Sequence, residues 1–196
     1  MNDNEIGNPP IKALIVFREN GDTDNLFVPI LCDAIRTTGI DVRCSTNEFW
    51  NSDTPYYIIH FQWPEEVMEG NGDDPDRICR LKECIAFFRS RGARFVYTRH
   101  NVRPHDANEV IGRAYDMIEE QSEVVVDRGR YSRDEFAAKH ADSRNVIIPH
   151  PIYQYTYKED ISVERARQYL NLPQEACIVT SFGKFRNREE RRMVTG

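Results

Sequence analysis

Four of the five histidines in this chain stand just beyond segments that read as buried strands: His60, His100, His105 and His150. An imidazole takes or gives a proton near neutral pH, or hydrogen-bonds a hydroxyl or a phosphate. His100 stands just past the expected strand Arg94–Thr98, so its side chain is expected at that strand's carboxyl edge. It is the first candidate for proton transfer; the competing reading is a ring satisfied by backbone carbonyls in a tight loop. Around it the sequence offers His60, Trp63, Glu65, Asn101, His105 and His150 as substrate-binding residues. Trp63-Pro64-Glu65 combines an aromatic surface with a carboxylate, and the same tryptophan would also serve as an apolar lid. Asn101 would equally support its turn. His105 lies at a helix start beside Asp106, whose plainer role is a cap. His150, between Pro149 and Pro151, would also make a rigid exit from a strand. His100 and His105 are spaced beyond one helical turn across Pro104, so no metal site is assigned to them.

The elements that must position these residues follow from hydrophobic periodicity. Ile11–Phe17 is nearly all apolar, as a strand buried on both faces should be. A helix from about Asn25, with Pro29 in its first turn, carries Leu26, Phe27, Ile30, Leu31, Ala34 and Ile35 at helical spacing and ends at Gly39. Ile40–Cys44 and Tyr57–Phe61 are the next strands. Asp74-Pro75 opens a helix with the stripe Ile78, Leu81, Ile85 and Phe88, closed by Gly92. Arg94–Thr98 is a strand, and Asp106 with Glu109 forms the pattern of a capping box before Val110, Ile111, Ala114 and Ile118. Glu123–Asp127 is a strand, Ser132 with Glu135 opens another helix, and Asn145–Ile148 is the last strand of the series. Alternating strands and helices joined by short connections specify a parallel sheet with helices on both faces, a Rossmann-like doubly wound α/β fold. In such a fold ligands bind outside the carboxyl ends of the strands, where the four histidines gather.

Composition narrows the function classes. Of 196 residues, 40% are hydrophobic, enough for a packed core. The formal net charge of −6 argues against a nucleic-acid binder, which usually presents a basic face. Arg89, Arg91, Arg94, Arg99 and Arg103 are close in sequence, and for Arg89 and Arg91 a helix carbonyl end is the simpler account. Five cysteines with no C-x-x-C read as reduced thiols of a cytoplasmic protein, without a zinc spacing. The polar, acidic start lacks the basic and apolar regions of a secretory signal, and the longest apolar runs are about five residues against the ~20 of a membrane span.

Ser162–Leu170 reads as a short helix and Cys177–Phe182 as a strand opening a second unit that the chain does not complete. The expected organisation is a polar tail over 1–10, a Rossmann-like domain over 11–158, and a linker helix with a truncated domain start over 159–196. No G-x-G-x-x-G follows the first strand, and there is neither a P-loop nor a G-x-S-x-G elbow. Asp74-Pro75-Asp76 matches a D-x-D string, which its helix-capping position explains.

Taken in order, the segments resemble the N-terminal half of a GT-B glycosyltransferase of the family 4-like group. The carriers are Asn25-Leu26-Phe27, Tyr57-Ile58-Ile59-His60-Phe61-Gln62-Trp63-Pro64-Glu65, Tyr97-Thr98-Arg99-His100-Asn101-Val102-Arg103-Pro104-His105, Val146-Ile147-Ile148-Pro149-His150 and Val179-Thr180-Ser181-Phe182-Gly183-Lys184-Phe185-Arg186. The chain departs from the family pattern at Tyr57, Gln62 and Pro151. The resemblance implies a hexosyltransferase working in polysaccharide biosynthesis, with a nucleotide-sugar co-substrate and a saccharide or glycolipid acceptor. It implies no metal or other cofactor, a cytoplasmic place with peripheral contact to the inner face of the membrane, and an acceptor side built by this domain around His100. The family's donor motif lies beyond Gly196, so the fragment is expected to be inactive alone. The rival readings are a flavodoxin- or receiver-like module holding a small anion or nucleotide, and another GT-B enzyme such as a sugar-nucleotide epimerase.

Overall fold

Six strands alternate with helices along the first 151 residues and pair into a single parallel sheet of order β2-β1-β3-β4-β5-β6. The structure is a computed structural model, and it describes residues 10–18, 26–68, 74, 76–102, 108–141, 143–153, 161–180, 188 and 191–192. The chain divides into two compact units, Met1–Pro151 and Ile152–Gly196. The sheet consists of β1 (Lys12–Val16), β2 (Asp41–Cys44), β3 (Ile58–Phe61), β4 (Arg94–Arg99), β5 (Val124–Asp127) and β6 (Arg144–Ile147). Leu14, Ile15 and Val16 are fully buried, which accounts for the unbroken apolar run of β1 at the centre of the sheet.

The register fixes which side chains share a face. Leu14 pairs with Ile59, and Ile59 with Phe95, while Ile15 pairs with His60 and His60 with Val96. Leu14, Val16, Ile59, Phe61, Phe95, Tyr97 and Val125 build the main core. It is closed by α2 (Thr46–Asn51), α4 (Asp76–Ser90), α5 (Glu109–Gln121) and α6 (Arg130–Lys139) through Phe49, Leu81, Phe88, Tyr115 and Phe136. Ala13, Ile15, His60 and Thr98 alternate onto the other face. There α1 (Phe27–Arg36) carries the chain from β1 to β2 and buries Phe27, Val28 and Cys32. The chain leaves β1 toward β2 on one side and β3 on the other, so the sheet is doubly wound and its strand order reverses between β1 and β3. That reversal opens a crevice at the carboxyl ends of those two strands.

Two helices were not foreseen in the sequence. In α2, Ser45 caps by accepting from Glu48 N at 3.0 Å, while Phe49 and Trp50 turn inward. The single turn α3 (Pro64–Val67) follows β3 and is tied to α2 by the Trp50 indole N–H, which donates to Val67 O at 3.1 Å. Two expected caps are corrected. Asn108 caps α5, accepting from Ile111 N at 2.9 Å, while Asp106 lies outside the described residues. Gly129 is the N-cap of α6, and Ser132, inside the helix, donates back to Gly129 O. In the second unit Ser162 caps α7 (Val163–Tyr169) as expected. Residues 177–180 are not a strand, and 181–187 lie outside the described residues.

Candidate functional site

The crevice between β1 and β3 is walled by aromatic and imidazole rings. Its floor starts with His60, the third residue of β3, whose Nε2 lies 2.8 Å from Thr98 Oγ1 across the β3–β4 pair. One residue past β4, His100 places Nε2 3.0 Å from Oε1 of the fully buried Gln62. The indole of Trp63 stacks on the His100 ring, centroids 3.9 Å apart and planes within 12°. Phe17, just past β1, packs against the other side of this unit, 5.3 Å from Trp63. From α1, Phe27 meets His100 edge-on at 5.0 Å and reaches His150 at 5.2 Å. Arg128, one residue past β5, lays its guanidinium over Phe27 at 4.4 Å and donates to Ile148 O at 3.2 Å.

The electrostatics follow from this crowding. Burial pushes the His60 pKa down to about 4, and the positive charge of Arg128 adds to the shift. His100 is pushed down to about 3, first by burial, then by Arg128, His150 and His60. Both rings are therefore neutral at physiological pH, and each keeps one N–H donor and one acceptor nitrogen. A ring with a pKa of about 3 is a poor proton acceptor at pH 7. What the edge offers instead is the permanent charge of Arg128 beside apolar walls.

Two ion clusters hold these groups in place. On the β1 side Arg18 makes a two-armed ion pair with Glu66 of α3, which fixes the turn that presents Trp63. Burial nevertheless raises the Glu66 pKa, with Arg18 opposing. Next to it Glu65 accepts from the buried Tyr115 hydroxyl at 2.6 Å. On the opposite face of the sheet Arg99 is nearly inaccessible and bridges three elements. It lies 3.3 Å from Glu119 of α5, 3.3 Å from Asp127 of β5 and 2.6 Å from Glu135 of α6, and donates to Ser132 O at 2.8 Å. Burial works against the Arg99 charge, but its carboxylate partners more than restore it. Asp127 also accepts from Asn145 Nδ2 at 2.8 Å. Arg99 and Asp127 immediately precede His100 and Arg128, so this lock sets the ends from which both site residues project.

The expected site residues thus fall into three groups. His60, Trp63, His100 and His150 share one cluster. Glu65 lies behind it, engaged by Tyr115, and Asn101 follows His100 half-buried in the loop. His105 lies outside the described residues. Sequence reasoning missed Phe27, Gln62 and Arg128 as site components. Among the described residues, no three His, Cys, Asp or Glu side chains are arranged to hold a metal ion. Among them, too, no helix is long and apolar enough to cross a membrane.

No family model matches the chain, and no curated protein matches it. A solved structure titled "Crystal Structure of TesA" aligns over 82% of this chain and 93% of that chain, at 13% identity with a TM-score of 0.35. These findings overturn the glycosyltransferase expected from the sequence. The ordered segments that resembled that family match no family model. The assignment as a hexosyltransferase is withdrawn, together with its sugar donor and acceptor. At this TM-score the likeness to TesA transfers no chemistry to this chain. What the architecture shows is an α/β fold with an all-parallel six-stranded sheet flanked by helices.

Proposed function

We propose that the carboxyl edge at the β1–β3 reversal binds a small anion, a phosphate- or carboxylate-bearing molecule. The observation that carries this reading is the convergence of Arg128, His100 and His150 around Phe27, with Trp63 stacked over His100. Arg128 contributes a charge that does not titrate, and its fork suits the oxygens of a carboxylate or phosphate. His60 and His100, held neutral, add no positive charge at neutral pH, and the one N–H of His100 is engaged by Gln62 Oε1, so the charged contact to the anion falls to Arg128. Phe17, Phe27 and Trp63 keep water away, which strengthens each charged hydrogen bond. The position supports the same reading, since open parallel sheets bind ligands where the strand order reverses.

Calorimetric titration with inorganic phosphate, a nucleoside monophosphate and a dicarboxylate at low salt tests the reading. At least one should bind, and Arg128→Gln should weaken it by roughly 10- to 100-fold, the value of one charge-assisted hydrogen bond of ~1.5–3 kcal/mol. Equal affinity in the variant, or no binding by the whole panel, would remove the proposal.

A further inference from the structure

One ring at the crevice has a fixed hydrogen-bonding polarity. Gln62 Oε1 can only accept, so the His100 Nε2 that lies 3.0 Å from it is the nitrogen that carries the proton. The ring is neutral at pH 7, which leaves a bare lone pair on its Nδ1. Among the described residues no group donates to that Nδ1. Trp63 stacks on the ring at 3.9 Å and Phe27 meets it edge-on at 5.0 Å, so its orientation is held from two sides. The amide that sets the tautomer has hydrogen-bonding capacity of its own to spare. Gln62 is fully buried, and its Nε2 has no partner among the described residues. Buried donors without partners are rare, and a ligand oxygen at this edge would supply one. The neighbouring carboxylates do not compete for a ligand's proton. Glu66 is held by Arg18, Glu65 accepts from Tyr115, and Asp127 is shared by Arg99 and Asn145.

We propose that the anion taken by this edge carries a hydroxyl of its own, which donates to His100 Nδ1 while an anionic oxygen meets Arg128. The inference rests on the anion-binding reading and names the class of anion. Hydrogen phosphate and hydroxy carboxylates share this chemistry, an anionic oxygen with an O–H on the same small molecule. Sulfate and a plain dicarboxylate present only acceptors at pH 7. Against those, the Nδ1 lone pair loses its water and faces oxygen lone pairs, with no hydrogen bond in return. Arg128 lies over the same Phe27 ring that His100 meets edge-on, so the charge and the acceptor border one apolar wall. Gln62 is the positioning residue: by accepting from Nε2 it keeps the free lone pair on Nδ1. Charge alone would favour sulfate, which is doubly ionised at pH 7 while phosphate is only partly so. A preference for phosphate therefore reads the hydroxyl.

Calorimetric titration of matched pairs at low salt and pH 7 tests this, phosphate against sulfate and malate against succinate. Phosphate should bind roughly 10-fold or more tightly than sulfate, the factor that a buried acceptor left unpaired costs. A preference for malate over succinate would identify a hydroxy acid as the source of the hydroxyl, and a preference within the phosphate pair alone would identify phosphate. Nitrogen-15 NMR of the wild-type chain reads the tautomer: His100 Nε2 should be the protonated nitrogen, and Nδ1 the one whose resonance moves as phosphate is added. His100→Phe keeps a ring against Trp63 and removes the acceptor, so phosphate and sulfate should then bind alike. The wild-type measurements decide the matter should that variant fold poorly. Equal or tighter binding of the hydroxyl-free member in both pairs, with Arg128→Gln still weakening it, would overturn this inference and leave the anion site standing. A proton on His100 Nδ1 would also overturn it. No binding by any of the four ligands overturns it too, while a nucleoside monophosphate that still binds would keep the broader reading.

Discussion

Acidifying this protein from pH 7 to pH 5 should destabilise it through His60 and His100 in particular. In the unfolded chain both rings titrate near the ordinary value of about 6.5. In the fold they hold out until about pH 4 and about pH 3. Below pH 6.5 the unfolded state therefore binds protons that the native state refuses, and stability falls as pH falls. The loss begins at about pH 6.5 and continues until each ring protonates in the fold, near pH 4 for His60 and pH 3 for His100. Each refused proton costs about 1.4 kcal/mol per pH unit, so by pH 5 each ring accounts for at most about 2 kcal/mol. Both rings keep some surface, which brings the expected loss nearer 1 kcal/mol each. Urea midpoints measured every half unit between pH 7.5 and 4.5 would show this against His60→Gln and His100→Gln. Each variant should be less stable at pH 7 yet have a shallower pH slope, by up to one proton. Parallel wild-type and variant curves would refute the reasoning, as would NMR titration of either imidazole near pH 6.5.

Other expectations rest on the groups that hold the edge. Arg99→Met should destabilise by about 3–5 kcal/mol, because Glu119 and Asp127 would remain buried without their cation; chemical denaturation measures it, and a cost below ~1 kcal/mol would deny the lock. Tyr115→Phe removes the hydroxyl that Glu65 accepts and should cost about 1 kcal/mol in the same assay. Phe27→Ala should cost about 3–5 kcal/mol and also raise the mobility of the His100 and His150 rings, read by NMR relaxation.

How far the sequence disclosed this molecule depended on the range of the forces involved. The strands were legible because Leu14, Ile15 and Val16, or Val125 and Val126, form runs that only a sheet covered on both faces can bury. The helix α2 was passed over although Ser45 and Glu48 form an S-x-x-E start signal, because six residues show too little periodicity to stand out. Cap positions slipped where two polar residues competed, as Asp106 and Asn108 did before α5. That His60, Trp63, His100 and His150 lie together was legible, since carboxyl-edge placement follows from strand order alone. The Arg99 lock was hidden, because it needs the β4–β5 register to set Arg99 beside Asp127, and α5 to bring Glu119 across. Phe27 read as a core residue of an amphipathic helix, and nothing local says that it faces imidazoles instead. The sequence resemblance failed where it had to carry chemistry, because ordered strands with trailing histidines describe a sheet edge in general.

The central claim is that this edge receives a small anion, and one measurement bears on it most directly. Two-dimensional NMR of the chain, with the imidazole nitrogens and the Trp63 indole resolved, can be followed during titration with inorganic phosphate at low ionic strength. Saturable shifts are expected at His60, His100, Trp63 and Arg128 and are expected to be lost in Arg128→Gln. Shifts confined to other surfaces, or none at these four residues, would contradict it.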